Sequence, residues 1–320
     1  MPAIRDLARD HAVLFFSGKG GVGKTTLASA TALARARDGG RVLVVSTDPA
    51  HNLGHLWDRA VGPSPVTLWE GAGGFLHGVE LDPAEITEQH LKTVGETMRK
   101  FVSEDLQRQV DNYLAMVRQA PGMHESALME RIAKLTVNHR GEDYDLIVFD
   151  TAPTGHTERL MHLPDMMAVY TDALLNRREK SAKLAESAEA LGHKKTANRN
   201  DNDIRAVLDR RRTLFTRFRE ILSDTSATSF ILALTAERMP VLETIDFANS
   251  LKCLGISVGA LAVNRRTPAG LGDRWDERRA AEAGYIEQLS QAVSAPIVEI
   301  EMLGGEPTGA AALEEIGSFL

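Results

Sequence analysis

The sequence predicts an α/β fold: a doubly wound, mostly parallel sheet with a helical subdomain made from insertions. Three observations carry that expectation. Short apolar runs rich in β-branched and aromatic residues alternate with longer helical patterns. Most of those runs are apolar throughout rather than alternating, as in strands buried on both faces. Two long stretches contain no strand pattern and stand outside the alternation.

The strands read as Ala12 to Phe16, Arg41 to Ser46, Phe75 to Glu80, Leu146 to Phe149, Phe230 to Leu234, Ser257 to Val263 and Ile297 to Ile300. A helix from Thr25 to Asp38 opens at a glycine-rich loop and stops at Gly39-Gly40. In the first strandless stretch, Ile86, Leu91, Val94, Met98 and Phe101 recur at helical spacing, and Leu106, Val110, Leu114 and Val117 do so again. The second carries Met161, Met166 and Met167 near its start and Arg210, Arg211, Arg212, Arg217 and Arg219 near its end. Between them Gly192 to Asp203 is polar and aperiodic, and reads as a mobile loop. No internal repeat is present. The expected organisation is one domain over residues 1–320, with helical insertions at about 83–134 and 160–222.

Composition narrows the function classes. The 320 residues are 43% hydrophobic and 25% charged, enough for a sizeable core. A formal net charge of -7 gives no general electrostatic case for nucleic acid as a partner. The single cysteine, Cys253, allows no internal disulfide and fits a reducing compartment. Residues Met1 to His11 are charged rather than signal-like, and no apolar run reaches the roughly 18 residues of a spanning helix. The expected location is the cytoplasm, with a membrane reached only through a partner.

The string Gly18-Lys19-Gly20-Gly21-Val22-Gly23-Lys24-Thr25-Thr26 satisfies G-x-x-x-x-G-K-[ST], between a strand and a helix. Glycines let the backbone curl so that successive N–H groups face phosphate oxygens, and the helix N-terminus adds a favourable dipole. Lys24 is suited to the β- and γ-phosphates and the Thr25 hydroxyl to magnesium, so ATP with Mg²⁺ is the expected ligand. Lys19 makes the loop a deviant Walker motif. In proteins sharing that motif the extra lysine crosses a dimer interface to the partner's nucleotide; a solvated surface lysine is the alternative.

Two further strand ends carry carboxylates. Ser46-Thr-Asp-Pro-Ala-His-Asn52 places Asp48 beside the phosphates, either to activate water or to cap a turn. Leu146 to Phe149 deliver Asp150 in a Walker-B arrangement suited to the magnesium shell, followed by Pro153 and Gly155 in a segment suited to phosphate sensing.

Together these strings resemble the ArsA family, the ATPase subunits of bacterial arsenite pumps and the eukaryotic ATPases that carry tail-anchored membrane proteins. The resemblance runs over nearly the whole chain. It includes Pro121-Gly-Met-His-Glu125, Leu242-Glu-Thr244 and Val263-Asn264. It implies that Asp48 activates water, that Lys19 acts in the partner's site within a homodimer, that Asp150 belongs to the second switch, and that Glu243 and Asn264 contact nucleotide, Asn264 at adenine. An amide suits a purine edge because it both donates and accepts.

The sequence also departs from the family. No C-x-x-C pair is present to hold zinc between subunits, there is one phosphate loop rather than the two of the familiar arsenite-pump form, and soft arsenic wants several thiolates. Cys253 reads as a small core residue. Three roles follow. The first is a targeting ATPase whose insertions form a groove for an apolar client helix, with Leu160, Met161, Met166, Met167, Val169, Leu174 and Leu175 as candidate lining or as subdomain core. The second energises metalloid efflux through a membrane transporter subunit. The third is a spatial regulator acting on DNA or membrane through the basic stretch Arg205 to Arg219, for which a solvated helix face is the alternative reading.

Overall fold

The structure, a computed structural model, describes residues 3–48, 52–71, 73–99, 107–120, 122–139, 143–155, 157–167, 169, 171–173 and 200–320. The expected strands are present as β1 (Val13–Ser17), β2 (Arg41–Ser46), β4 (Gly74–Glu80), β5 (Leu146–Asp150), β6 (Thr228–Leu234), β7 (Val258–Arg266) and β8 (Ile297–Glu301). One strand escaped the sequence reading. β3 (Val66–Gly71) is a half-exposed edge strand, antiparallel to β4, so it has no continuous apolar run to reveal it. The order is β3-β4-β2-β5-β1-β6-β7-β8, and every pairing except β3–β4 is parallel.

Alternate residues of each central strand enter different cores. Val13, Phe15, Leu43, Val45, Ile147 and Phe149 face one layer. Leu14, Phe16, Val42, Val44, Leu146 and Val148 face the other. Both faces are therefore dry, which is why these strands read as unbroken apolar runs. Phe15 stacks between Phe149 and Phe230 at ring separations of 4.8 and 4.7 Å, locking β5, β1 and β6 together. Helices α1 (Ala3–Asp10), α2 (Lys24–Arg37), α3 (Asn52–Trp57) and α11 (Gly309–Gly317) cover the second face.

The first insertion holds α4 (Pro83–Arg99), α5 (Gln107–Arg118) and α6 (Met123–His139). Arg99–Asp111 and Arg118–Glu88 ion pairs join α4 to α5, and a 2.9 Å hydrogen bond between Thr87 and His124 joins α4 to α6. The second holds helical residues 157–167 (α7) and α8 (Asn200–Ser223). Leu128, Ile132, Leu160, Met161, Phe215 and Phe218 pack into the first core, so α6, α7 and α8 themselves cover the sheet. α9 (Arg238–Cys253) and α10 (Asp273–Ala292) complete that face through Phe247, Leu251 and Leu289.

Three expectations change here. Asn200 to Asp203 belong to α8 rather than to a loop, while 192–199 lie outside the described residues. Cys253 is exposed, because the last turn of α9 buries Leu251 and turns the next two residues outward. Three arginines of the basic stretch pair within the chain, Arg211 with Glu130, Arg212 with Asp172 and Arg219 with Asp165, while Arg210 and Arg217 are exposed.

Candidate active site

The parallel strands end on one edge, and the site is built there. β1 runs into the glycine loop, β2 into Thr47-Asp48, β5 into Asp150 and β7 into Asn264. Because β5 lies between β2 and β1, Asp150 stands between the loop and Asp48's segment.

The loop needs its glycines for two different reasons. A Cβ on Gly18 would be driven into the Ala233 carbonyl oxygen, because the chain leaves β1 pressed against β6. Gly23 sits at φ 95°, the left-handed region, and a Cβ there would collide with the Asn264 amide. Gly23 is also the residue before α2, and no side chain caps that helix. Its first N–H groups, which lack intrahelical partners by geometry, face the loop and suit an anion.

Lys24 is buried and its ammonium donates to the Lys19 carbonyl at 3.0 Å. Burial holds its pKa below the ordinary lysine value, while Asp150 and Asp48 act in the opposite direction. A phosphate oxygen would give this ammonium a charged acceptor in direct contact, which the neutral Lys19 carbonyl does not. Lys19 is turned outward and half exposed, and its ammonium meets the Glu243 carboxylate on α9 at 2.7 Å.

Asp150 is fully buried. Its Oδ2 accepts from the Thr25 hydroxyl at 2.7 Å and from the Ser46 hydroxyl at 3.3 Å. Its Oδ1 is buried without a hydrogen-bond partner. Burial pushes its pKa up to about 6, against the pull of Thr25 and Lys24. An orphaned carboxylate oxygen beside a threonine hydroxyl is the hard, oxygen-only donor set that a magnesium ion with its waters takes. Thr25 and Asp150 thus fit the metal expected of them.

Asp48 is held from its own strand: its N–H donates to Ser46 Oγ at 3.4 Å, and Thr47 N–H donates to the Asp150 carbonyl at 2.9 Å. Beyond Asp150, Thr151 donates to the Phe16 carbonyl at 2.9 Å, and Thr157 donates to the Ala152 carbonyl at 2.7 Å. The first bond ties the segment after Asp150 to the end of β1 at the entry to the loop, and the second closes a turn within that segment. Ser46, Thr151 and Thr157 were not singled out in the sequence, where a hydroxyl near a motif carries no distinguishing signal.

Asn264 Nδ2 donates to the Val22 carbonyl at 2.8 Å, and its Oδ1 accepts from Arg265 N–H at 2.9 Å. An amide has two donors and two acceptor positions, so these bonds leave capacity for a base. Arg265 adopts φ 56° to follow it. A pocket of about 350 Å³ opens between the loop and the ends of β6 and β7, lined by residues that include Lys19, Gly20, Gly21, Val22, Thr235 and Arg265.

The candidate groove residues separate. Leu160 and Met161 are buried in the core, and Met167 is half-buried against it. Met166 and Val169 are 63% and 70% exposed. Met161 is therefore core and not groove, because five residues are well past one helical turn and carry Met166 round to another face. Leu174 and Leu175 lie outside the described residues.

The fold and this arrangement define a P-loop nucleotide hydrolase with the deviant lysine. The family model described as anion-transporting ATPase matches residues 11–320. The chain belongs to that ArsA-type ATPase family and is an ATPase. It is 30% identical over 315 residues to a protein of Aquifex aeolicus provisionally named arsenical pump-driving ATPase 2, covering 96% of this chain and 98% of that one. It is 31% identical over 280 residues to the arsenical pump-driving ATPase of Escherichia coli, covering 87% of this chain and 42% of the relative. It is 28% identical over 267 residues to ATPase ASNA1 homolog 2 of Paramecium tetraurelia, covering 82% and 79%. The chain thus spans less than half the length of the E. coli relative and almost all of the Aquifex one.

Proposed function

We propose that the chain acts as a nucleotide-dependent homodimer in the cytoplasm, coupling ATP binding and hydrolysis to the handling of an apolar client helix. The observation that carries this is the division of labour between the two loop lysines. Lys24 is buried and aimed inward, while Lys19 stands on the outer rim, half exposed, where a second copy has access to it.

In this reading the N–H groups at the start of α2 and the Lys24 ammonium bind the triphosphate. Thr25 and Asp150 hold magnesium, which when bound supplies divalent counter-charge to the phosphates. Asp48 orients and deprotonates the attacking water, its position set by Ser46 and by the Thr47–Asp150 backbone bond. Lys19 leaves Glu243 to reach the partner's nucleotide, and Asn264 contacts the adenine. ATP then controls the shape of the dimer as well as supplying energy.

Met166 and Val169 support the client role as exposed apolar residues on the second insertion, directly after the second switch. Metalloid efflux is the alternative that two relatives' names suggest. Against it stands a single cysteine, exposed on α9. Regulation on DNA or membrane is the weaker alternative, since Arg211, Arg212 and Arg219 are paired within the chain. No helix among the described residues is long and apolar enough to cross a membrane.

The test has two arms. Asp48→Asn with Mg-ATP should sediment as a dimer, and adding Lys19→Ala should return it to monomer. A fluorescent apolar peptide of about 20 residues should bind the ATP-loaded dimer. Joint Met166→Asp and Val169→Asp substitution should abolish that binding while ATPase activity survives. A monomer in every nucleotide state sinks the dimer reading. ATPase stimulation by arsenite in a reduced sample would favour efflux.

A further inference from the structure

We propose that Glu80 is a positioning residue for hydrolysis, holding the helix that follows Asp48 and linking it to the start of the first helical insertion. The inference rests on the reading of Asp48 as the residue that activates water.

Glu80 is the last residue of β4 and only 6% exposed. A carboxylate this buried needs donors. Its Oε1 accepts from Leu53 N–H at 2.9 Å and from Gly54 N–H at 3.2 Å. Those N–H groups belong to the first turn of α3, which begins four residues after Asp48. α3 has only six residues, too few to persist on propensity. Its place is set by Leu53, Leu56 and Trp57, which pack into the second core, and by the Glu80 carboxylate at its start. The approach is close: a Cβ on Gly54 would meet the Arg59 carbonyl at 2.8 Å and Glu80 Oε2 at 3.6 Å.

Asp48's segment is thus fastened on both sides. Before it, Ser46 and Thr47 are bonded to Asp150. After it, α3 is bonded to Glu80. Glu80 is itself seated by the sheet, since its register partner in β2 is Ser46 and Leu81 N–H donates to the Ser46 carbonyl at 2.9 Å.

The same carboxylate stands at the root of the insertion. Two residues on, Asp82 Oδ1 accepts from Ala84 N–H at 2.7 Å and caps α4. A shift of α4 passes through residues 80–82 to the start of α3. This gives the helical insertion a covalently short route to the water-activating segment, independent of the phosphate loop.

The test compares Glu80→Ala, Glu80→Gln and Asp48→Asn in the full chain, measuring kcat, ATP affinity and thermal midpoint. Glu80→Ala should lower kcat about tenfold or more, with ATP affinity within about twofold, since misplacing a catalytic group slows chemistry without touching the phosphate loop. Glu80→Gln should restore kcat to within about threefold, because an amide oxygen accepts from the same two N–H groups. Hydrogen exchange at Leu53 and Gly54 should speed up in the alanine variant and not in the glutamine one. Wild-type kcat in Glu80→Ala, or a loss shared equally by kcat and ATP affinity and not rescued by glutamine, overturns the proposal. If Glu80→Ala fails to fold, Glu80→Asp decides: it retracts the carboxylate by one methylene, and an unchanged kcat would reject the role. Normal turnover in Asp48→Asn removes the underlying reading of Asp48. An inactive Asp48→Asn beside a fully active Glu80→Ala removes only the role given to Glu80.

Discussion

Asp150→Asn separates what Asp150 does for stability from what it does for chemistry. In the ligand-free chain Asp150 is a fully buried carboxylate with one orphaned oxygen, and its pKa rises from 3.8 to about 6. A carboxylate whose folded-state pKa is raised weakens the fold when ionised. The penalty is absent below pH 3.8, grows as pH rises towards 6, and is fully present above it. Two pKa units amount to about 3 kcal/mol. Asparagine removes the charge and keeps an oxygen for the Thr25 and Ser46 hydroxyls, but its NH₂ enters the place of the orphaned oxygen at about 1–2 kcal/mol. The variant should therefore be more stable than wild type by about 1–2 kcal/mol at pH 7.5 in EDTA, a shift of a few degrees in Tm. The pH dependence is the sharper readout, because the NH₂ term cancels. The advantage should shrink by about 1.5 kcal/mol between pH 7.5 and pH 5. Urea unfolding at both pH values measures it. With Mg-ATP present the ranking should invert, since the variant has lost a metal ligand. An advantage that does not change between pH 5 and pH 7.5 would refute the claim that Asp150 is a penalised buried charge.

Other expectations follow from the same geometry. Asp48→Asn should keep ATP binding and lower kcat by at least about a hundredfold, read by phosphate release beside equilibrium binding. Gly23→Ala places a side chain at φ 95° against Asn264, so it should lose nucleotide affinity and about 1–3 kcal/mol of stability, seen by titration and thermal melts. Arg211→Ala strips the mostly buried Glu130 of one partner while Lys134 and His90 remain beside it, and should destabilise the chain by about 1–3 kcal/mol without changing kcat; a change in salt-sensitive DNA retention would instead revive a surface role. Met161→Asp should unfold the chain, whereas Met166→Asp should leave its Tm nearly unchanged, because one is buried in the core and the other faces solvent.

The glycine loop, the carboxylates at two strand ends and seven strands were legible because local rules write them locally. A phosphate loop needs glycines and a lysine at fixed spacing, and a strand dry on both faces needs an unbroken apolar run. β3 was missed because an edge strand wet on one face satisfies neither rule. Cys253 was placed inside because a lone cysteine in a helix says nothing about which side of the helix faces the core. The methionines after the second switch share a composition and divide only when α7 is laid on the sheet.

From sequence alone come the class of chemistry and the residues of the candidate phosphate loop, because that motif is written in residues close together in the chain. Distances through space were decided by the tertiary structure. Parallel β2–β4 pairing brings Glu80 to the first turn of α3, 27 residues earlier. Packing of β5 between β1 and β2 brings Asp150 to Thr25, 125 residues away, and strips it of water until its own charge becomes a burden. A carboxylate's identity is written in one letter, but its protonation depends on which strands close around it.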